Sequence, residues 1–90
     1  MTKQAYHPNA YLSSIRNIKR GLDTRTKILN ILDKHPMDVK SLAKEASAHY
    51  NVVMHHLRLL GAEGIVERRG SKPYTWKTTG IGQKRLVASN

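Results

Sequence analysis

The chain has 90 residues, no cysteine and a formal net charge of +10, which comes from 16 Lys and Arg against 6 Asp and Glu. The lack of cysteine excludes disulfides, thiolate metal sites and a cysteine nucleophile. So basic a balance predicts an anionic partner, with nucleic acid as the first class to consider. A chain of this length forms one domain, and no apolar run approaches the ~18 residues of a membrane span.

The N-terminal part predicts a helix and no secretion signal. No apolar stretch follows its first lysine, so it lacks the pattern of a signal peptide, and we expect a cytoplasmic protein. Pro8 suits the first turn of a helix that Gly21 would end. Four apolar residues fall on one face of this helix at helical spacing: Tyr11, Leu12, Ile15 and Ile18.

A second helix is predicted over residues 24–35. Asp23 or Thr24 can cap it, and Pro36 prevents it from continuing. Its apolar stripe contains Ile28, Leu29, Ile31 and Leu32.

Two further helices follow in close succession. Asp38 is predicted to cap a short third helix that ends near Ala46. The fourth helix runs from His49 to Ala62, with an apolar face and a polar face. The apolar face contains Val53, Leu57 and Leu60, and the polar face contains Tyr50, Asn51, Met54, His55 and Arg58. Two helices joined by a tight turn, the second with one free polar face, are what a helix-turn-helix requires.

After the fourth helix the pattern changes to that of a two-stranded hairpin. Residues 65–69 and 74–78 form its strands, and the break at residues 70–73 forms a basic tip. A last helix is predicted from about residue 80 to residue 88.

Three short motifs between residues 42 and 66 follow one another at a recognisable spacing. They are the pair Leu42-Ala43, the helical run Val-Met-His-His-Leu-Arg-Leu-Leu at 53–60, and the triplet Gly64-Ile65-Val66. Over roughly residues 24–89 the chain resembles the winged helix regulators of the ArsR-like group. The resemblance implies a mainly α fold with a small β-hairpin, which is a winged helix-turn-helix, here with an extra N-terminal helix. It also implies a transcription regulator that binds double-stranded DNA.

The resemblance further implies a homodimer with three parts in each chain. We expect residues 1–22 to be a helical extension for dimerisation, residues 23–78 the winged helix-turn-helix, and residues 79–90 the C-terminal helix. Dimers of this family pair their terminal helices, so the resemblance implies a contact across a two-fold axis between Leu86 and the first helix, through Tyr11, Leu12, Ile15 and Ile18. Such a dimer would bind a palindromic site.

Ten side chains are candidates for DNA contact. The fourth helix contributes His49, Tyr50, Asn51, Met54, His55 and Arg58, and the hairpin contributes Arg68, Arg69, Lys72 and Tyr74. Asn51 suits adenine, and Arg58 suits guanine or a phosphate. His56 and Trp76 are expected in the core instead.

The sequence favours a repressor that acts by occlusion of its site, and it gives no support to an enzyme. No catalytic arrangement is present, and the histidines of the fourth helix have no carboxylate beside them, so neither a metal nor another cofactor is expected. Three alternatives stay open: a plasmid or chromosome partition adaptor that binds a centromere site and spreads on DNA, a protein-interaction winged helix, and a non-specific architectural protein.

Overall fold

The structure is a computed structural model that describes residues 6–13 and 17–79. Within these residues, one 3-10 turn precedes three helices and a three-stranded antiparallel sheet. The elements are the 3-10 turn Pro8–Ala10, α1 (Lys19–Lys34), β1 (Met37–Asp38), α2 (Val39–Ala46), α3 (Tyr50–Ala62), β2 (Val66–Arg69) and β3 (Thr75–Thr78). The expected fold class, mainly α with a small β-hairpin in a winged helix arrangement, is confirmed.

The N-terminal segment differs from its prediction. The apolar periodicity predicts a helix over residues 8–21, whereas residues 6–13, which we call the strap, contain only a 3-10 turn followed by extended backbone at Tyr11. The ring Nδ1 of His7 accepts the backbone N–H of Asn9 at 3.0 Å and so caps this turn. Burial of the strap against α1 outweighs a short apolar periodicity, and the extra N-terminal helix is therefore wrong for this segment.

Helix α1 begins at Lys19, earlier than predicted, because Gly21 does not stop the helix. Gly21 is buried inside α1, where a Cβ would lie only 2.8 Å from Nη1 of Arg25. The glycine thus makes room for a side chain of its own helix. The predicted end is confirmed, since α1 finishes at Lys34, before Pro36.

The core lies between the three helices and the sheet. The predicted inner face of α3 is confirmed, and in α1 only Ile31 is less buried than its stripe predicts. Trp76 of β3 is 5% exposed and fixes the hairpin to the helices, as expected. The side chains with no exposed surface include Ile28, Leu29, Leu42, Val53, Leu57, Leu60 and Ile65.

The hairpin of β2 and β3, which we call the wing, carries a third strand that the sequence does not predict. The strand order is β1-β3-β2, so β3 is the central strand. Met37 of β1 pairs with Trp76, and Asp38 pairs with Thr75. Because Asp38 is also the N-cap of α2, the end of β3 next to the wing tip is joined directly to the start of that helix.

Some predicted features lie outside the described residues. These are the helix over residues 80–88 and the side chains of Ile15 and Leu86. Among the helices that the structure describes, none has the length and hydrophobicity needed to cross a membrane.

Candidate nucleic-acid interface

The connection between α2 and α3 sets the direction of α3. Ser47 ends α2 in the left-handed conformation, with φ of 53°, and the N–H of Ala48 donates to the carbonyl of Ala43 at 3.0 Å. His49 returns to extended backbone as the N-cap of α3. The chain therefore turns between two helices within three residues, which is the tight connection of a helix-turn-helix.

Helix α3 has one face in the core and one face in solvent. Its buried residues are Val53, His56, Leu57 and Leu60. At about 100° per residue, the direction opposite to them is occupied by Asn51, His55 and Arg58, which are all exposed. We call these three side chains the reading face, because a helix can present such a face to base edges in a major groove.

A cleft of about 920 Å³ separates α3 from the wing. Its lining on the α3 side includes Tyr50, Asn51, Met54 and Arg58, and its lining on the wing side includes Arg68, Lys72 and Tyr74. Seven of the ten side chains predicted to contact DNA thus meet in one cleft. The other three, His49, His55 and Arg69, are exposed but do not line it.

The positive charges of the wing are not all equally available to bind an anion. Glu67 bonds Arg69 at 3.3 Å and lies 3.8 Å from the amine of Lys77, so one carboxylate offsets part of the charge of two cations. Arg68 instead lies over the ring of Tyr74. An aromatic face holds a guanidinium without neutralising it, so Arg68 keeps its charge for an anion in the cleft.

Two features, one in the cleft and one elsewhere on α3, are not predicted by the sequence. Asp38 lines the cleft, and hydrogen bonds from the hydroxyl and then the backbone N–H of Ser41 lower the pKa of its carboxyl group. The sequence predicts Asp38 only as a helix cap, since its place beside the wing depends on β1. Val52 on α3 is 42% exposed, which the sequence does not predict because an apolar side chain is normally buried.

The three predicted dimer residues that the structure describes, Tyr11, Leu12 and Ile18, do not share one helical face. Leu12 is 4% exposed and belongs to the core of its own protomer, so that part of the prediction is wrong. Tyr11 and Ile18 are 45% and 58% exposed. The physical reason is the extended backbone of the strap, which turns successive side chains in opposite directions.

Buried Arg25, a residue of α1, connects the strap, the segment before α1 and α3. Its Nε donates to the carbonyl of Ala10 at 2.6 Å, and its Nη2 donates to Oδ1 of Asn17 at 3.1 Å. Its Nη1 lies 3.3 Å from Nδ1 of His56. Since arginine only donates, this nitrogen of His56 accepts, and the ring proton is on Nε2.

The burial of Arg25 and His56 lowers the pKa of both side chains. Burial lowers the pKa of Arg25, and the negative charge of Glu63 works against that change. Burial, followed by the charges of Arg25 and His55, lowers the pKa of His56 to about 4. His56 is therefore a neutral, buried acceptor, in agreement with its predicted structural role.

In the described part of the chain, no three His, Asp or Glu side chains are grouped to hold a metal ion.

The fold is similar to solved structures of transcriptional regulators. A possible transcriptional regulator for arsenical resistance matches with a TM-score of 0.64 and 25% identity, over 73% of this chain and 70% of that chain. A homodimeric winged helix-turn-helix DNA-binding domain from Mycobacterium bovis, of a possible ArsR-family regulator, has a TM-score of 0.63 and 19% identity. A MarR family regulator from Silicibacter pomeroyi has a TM-score of 0.66 and 22% identity.

The last two similarities show the fold alone. They cover 73% of this chain but only 64% of the Mycobacterium bovis domain and 46% of the Silicibacter pomeroyi regulator, so the chain spans about half the length of the latter. No curated protein matches the sequence.

The family assignment comes from the sequence itself. Residues 23–68 match the model of the bacterial regulatory protein, arsR family, and this region contains α2, α3, most of α1 and most of β2. The match covers more than half of the chain. The chain therefore belongs to the ArsR family of bacterial regulatory proteins, which are winged helix transcriptional regulators and not enzymes.

Proposed function

We propose that this regulator binds double-stranded DNA sequence-specifically, with α3 in a major groove and the wing on the neighbouring backbone. The observation that carries the proposal is the cleft, because it brings base-reading and phosphate-binding side chains to one side of the molecule. Asn51 and Arg58 on α3 stand opposite Arg68 and Lys72 on the wing. Base contacts specify a sequence and phosphate contacts fix the register, so the two groups have complementary roles.

The side chains on α3 suit different parts of a base pair. Asn51 can bond adenine through two hydrogen bonds, and Arg58 can do the same with guanine. Tyr50 and Met54 offer apolar contact to thymine methyl groups. His55 extends the reading face beyond the cleft.

We also propose that the protein acts as a homodimer on a palindromic site. The similar domain from Mycobacterium bovis is homodimeric, and Tyr11 and Ile18 leave apolar surface exposed near the start of α1. Ile15 and Leu86 complete the proposed contact. A two-fold axis would place two α3 helices about one DNA turn apart, ~34 Å. A dimer bound in this way would repress by occluding its site, in the cytoplasm where chromosomal DNA is accessible.

The test is a selection of genomic fragments with the full chain, followed by footprinting over a concentration series. A short palindrome with fixed boundaries supports a repressor. Protection that spreads outward with concentration favours the partition adaptor, and equal binding of all sequences at moderate salt favours an architectural protein. Failure to enrich any DNA would contradict the proposal and point to a protein partner. The same test is applied to Arg58→Ala, which removes a cation from the cleft and should weaken DNA binding. Its control is Lys34→Ala, which removes an exposed cation outside the cleft.

A further inference from the structure

The strap is held at both ends by side chains of the winged helix. At its start, the backbone N–H of His7 donates to Oγ1 of Thr26 at 3.0 Å, and Nε2 of His7 bonds Asp33 at 2.7 Å. At its end, the backbone N–H of Ser13 donates to a carboxylate oxygen of Glu63 at 2.8 Å. Since Glu63 is the C-cap of α3, the strap reaches from α1 to the end of the helix that carries the reading face.

The middle of the strap is tied to α3 by one side chain. Arg25 bonds the carbonyl of Ala10 in the strap and Nδ1 of His56 in α3. It also bonds Asn17, which accepts from the N–H of Leu12 at 2.7 Å and donates to the carbonyl of Leu12 at 2.8 Å. One guanidinium thus joins two points of the strap to α3.

Only arginine has the geometry for this task. Its guanidinium is planar and carries five N–H groups in a fixed fork, whereas lysine has a single nitrogen. The three acceptors of Arg25 belong to the strap, to the segment before α1 and to α3. Gly21 leaves the space that the fork occupies, because a Cβ there would lie 2.8 Å from Nη1. Burial of a charge is costly unless its hydrogen bonds are made, so the fork has little freedom to move.

We propose that Arg25 is a positioning residue for DNA recognition, which transmits the position of the strap to the reading face through His56. The inference rests on the proposed function. His56 is the immediate neighbour of His55, and both belong to one rigid helix, so a displacement at His56 also displaces Asn51 and Arg58. Hydrogen bonds to base edges need close geometry, whereas phosphate contacts tolerate small displacements. Disturbing Arg25 should therefore reduce discrimination between sequences more than it reduces general affinity for DNA.

Two glycine substitutions give a matched test. Gly21→Ala places a methyl group against the guanidinium of Arg25, whereas Gly61→Ala in α3 meets its nearest atoms at 3.8 Å, which is ordinary contact. Both changes favour the helical backbone. We expect Gly21→Ala to lower the ratio of specific to non-specific affinity about tenfold, and Gly61→Ala to change it less than about twofold.

Arg25→Lys is the second variant, because it keeps the charge and loses the fork. Its control is Ile28→Val, a mild core substitution in the same helix. All four proteins are compared under conditions where circular dichroism shows them fully folded. The second readout is the set of backbone amide chemical shifts of Asn51, His55 and Arg58 without DNA.

A fall in the affinity ratio for Gly21→Ala and Arg25→Lys, with changed amide shifts on the reading face, supports the proposal. An unchanged ratio in the folded variants overturns it, and so does an equal fall in the two controls, which would reflect general destabilisation. If the unmodified protein binds no DNA, the proposed function fails separately. The amide shifts then decide whether Arg25 positions the reading face, since shifts confined to the strap and α1 overturn that link.

Discussion

The guanidinium of Arg68 lies over the ring of Tyr74, with its carbon 4.4 Å from the ring centroid. This contact orients an exposed cation beside the cleft between the wing and α3. Tyr74→Leu keeps the charge of Arg68 but removes its orientation. An exposed cation–π contact is worth about 0.5–1 kcal/mol, so we expect the affinity for DNA to fall about two- to fivefold.

The salt dependence of binding separates orientation from charge. Arg68→Ala removes the proposed phosphate contact, so the slope of log affinity against log salt should decrease in magnitude by about one, whereas Tyr74→Leu should leave the slope unchanged. Fluorescence anisotropy titrations over a series of salt concentrations measure both quantities. A changed slope in Tyr74→Leu would contradict the role assigned to the ring.

The reading face should control which bases are preferred. Asn51→Ala and Arg58→Ala should each relax the preference at one position of the half-site, at a cost of about 1–3 kcal/mol for the preferred base. Lys72→Ala should weaken binding to all sequences alike, because a phosphate contact carries no base information. Competition with single-base variants of the footprinted site measures the difference. Uniform weakening by Asn51→Ala would show that this side chain does not read a base.

The buried His56 should make stability depend on pH. Its pKa in the folded protein is about 4, below the ordinary value of 6.5. Below pH 6.5 the His56 side chain binds a proton in the unfolded chain, whereas in the folded protein it stays neutral until about pH 4. The free energy of unfolding should therefore fall between these values, by up to about 3 kcal/mol, and should not depend on this group above pH 6.5.

Urea unfolding at a series of pH values, with His56→Asn as the comparison, isolates this contribution. Asparagine can still accept a hydrogen bond from Arg25 but does not titrate, so its unfolding free energy should fall less steeply with acid. Parallel curves for the two proteins would assign the pH dependence to other groups.

Two glycines should respond in opposite ways to alanine. At Gly61 a methyl group fits at ordinary contact distance from Trp76, so Gly61→Ala should stabilise α3 by about 0.5–1 kcal/mol. Gly70 has space around it but a φ of +83°, so Gly70→Ala should destabilise the wing by about 1 kcal/mol. Chemical unfolding measures both effects, and a loss of stability in Gly61→Ala would show that α3 packs too closely on Trp76 to accept a methyl group.

Local signals predicted the central helices well. Asp38 stands at the N-cap of α2, and Val53, Leu57 and Leu60 repeat at the spacing of one helical face. The strap and β1 were beyond such signals. The strand β1 has only two residues, which are too few to show a periodicity, and they form a strand only because β3 lies beside them.

The candidate site was predictable where one helix or one hairpin decides the position of a side chain. Asn51 and Arg58 follow from the polar face of α3, and Arg68 follows from the hairpin. The role of Arg25 was not predictable, because a charged residue is normally exposed and its three partners come from distant parts of the chain.

The strand order has a further consequence for solubility. Among residues 6–13 and 17–79, β3 is the central strand and β2 is an edge strand. An edge of unpaired backbone groups invites another molecule to add a strand. In β2 this edge is four residues long and carries Glu67, Arg68 and Arg69 in succession. Charged side chains on a short edge discourage such pairing. The charges of β2 thus work against strand pairing between copies, and we expect that removing both arginines favours self-association through β2.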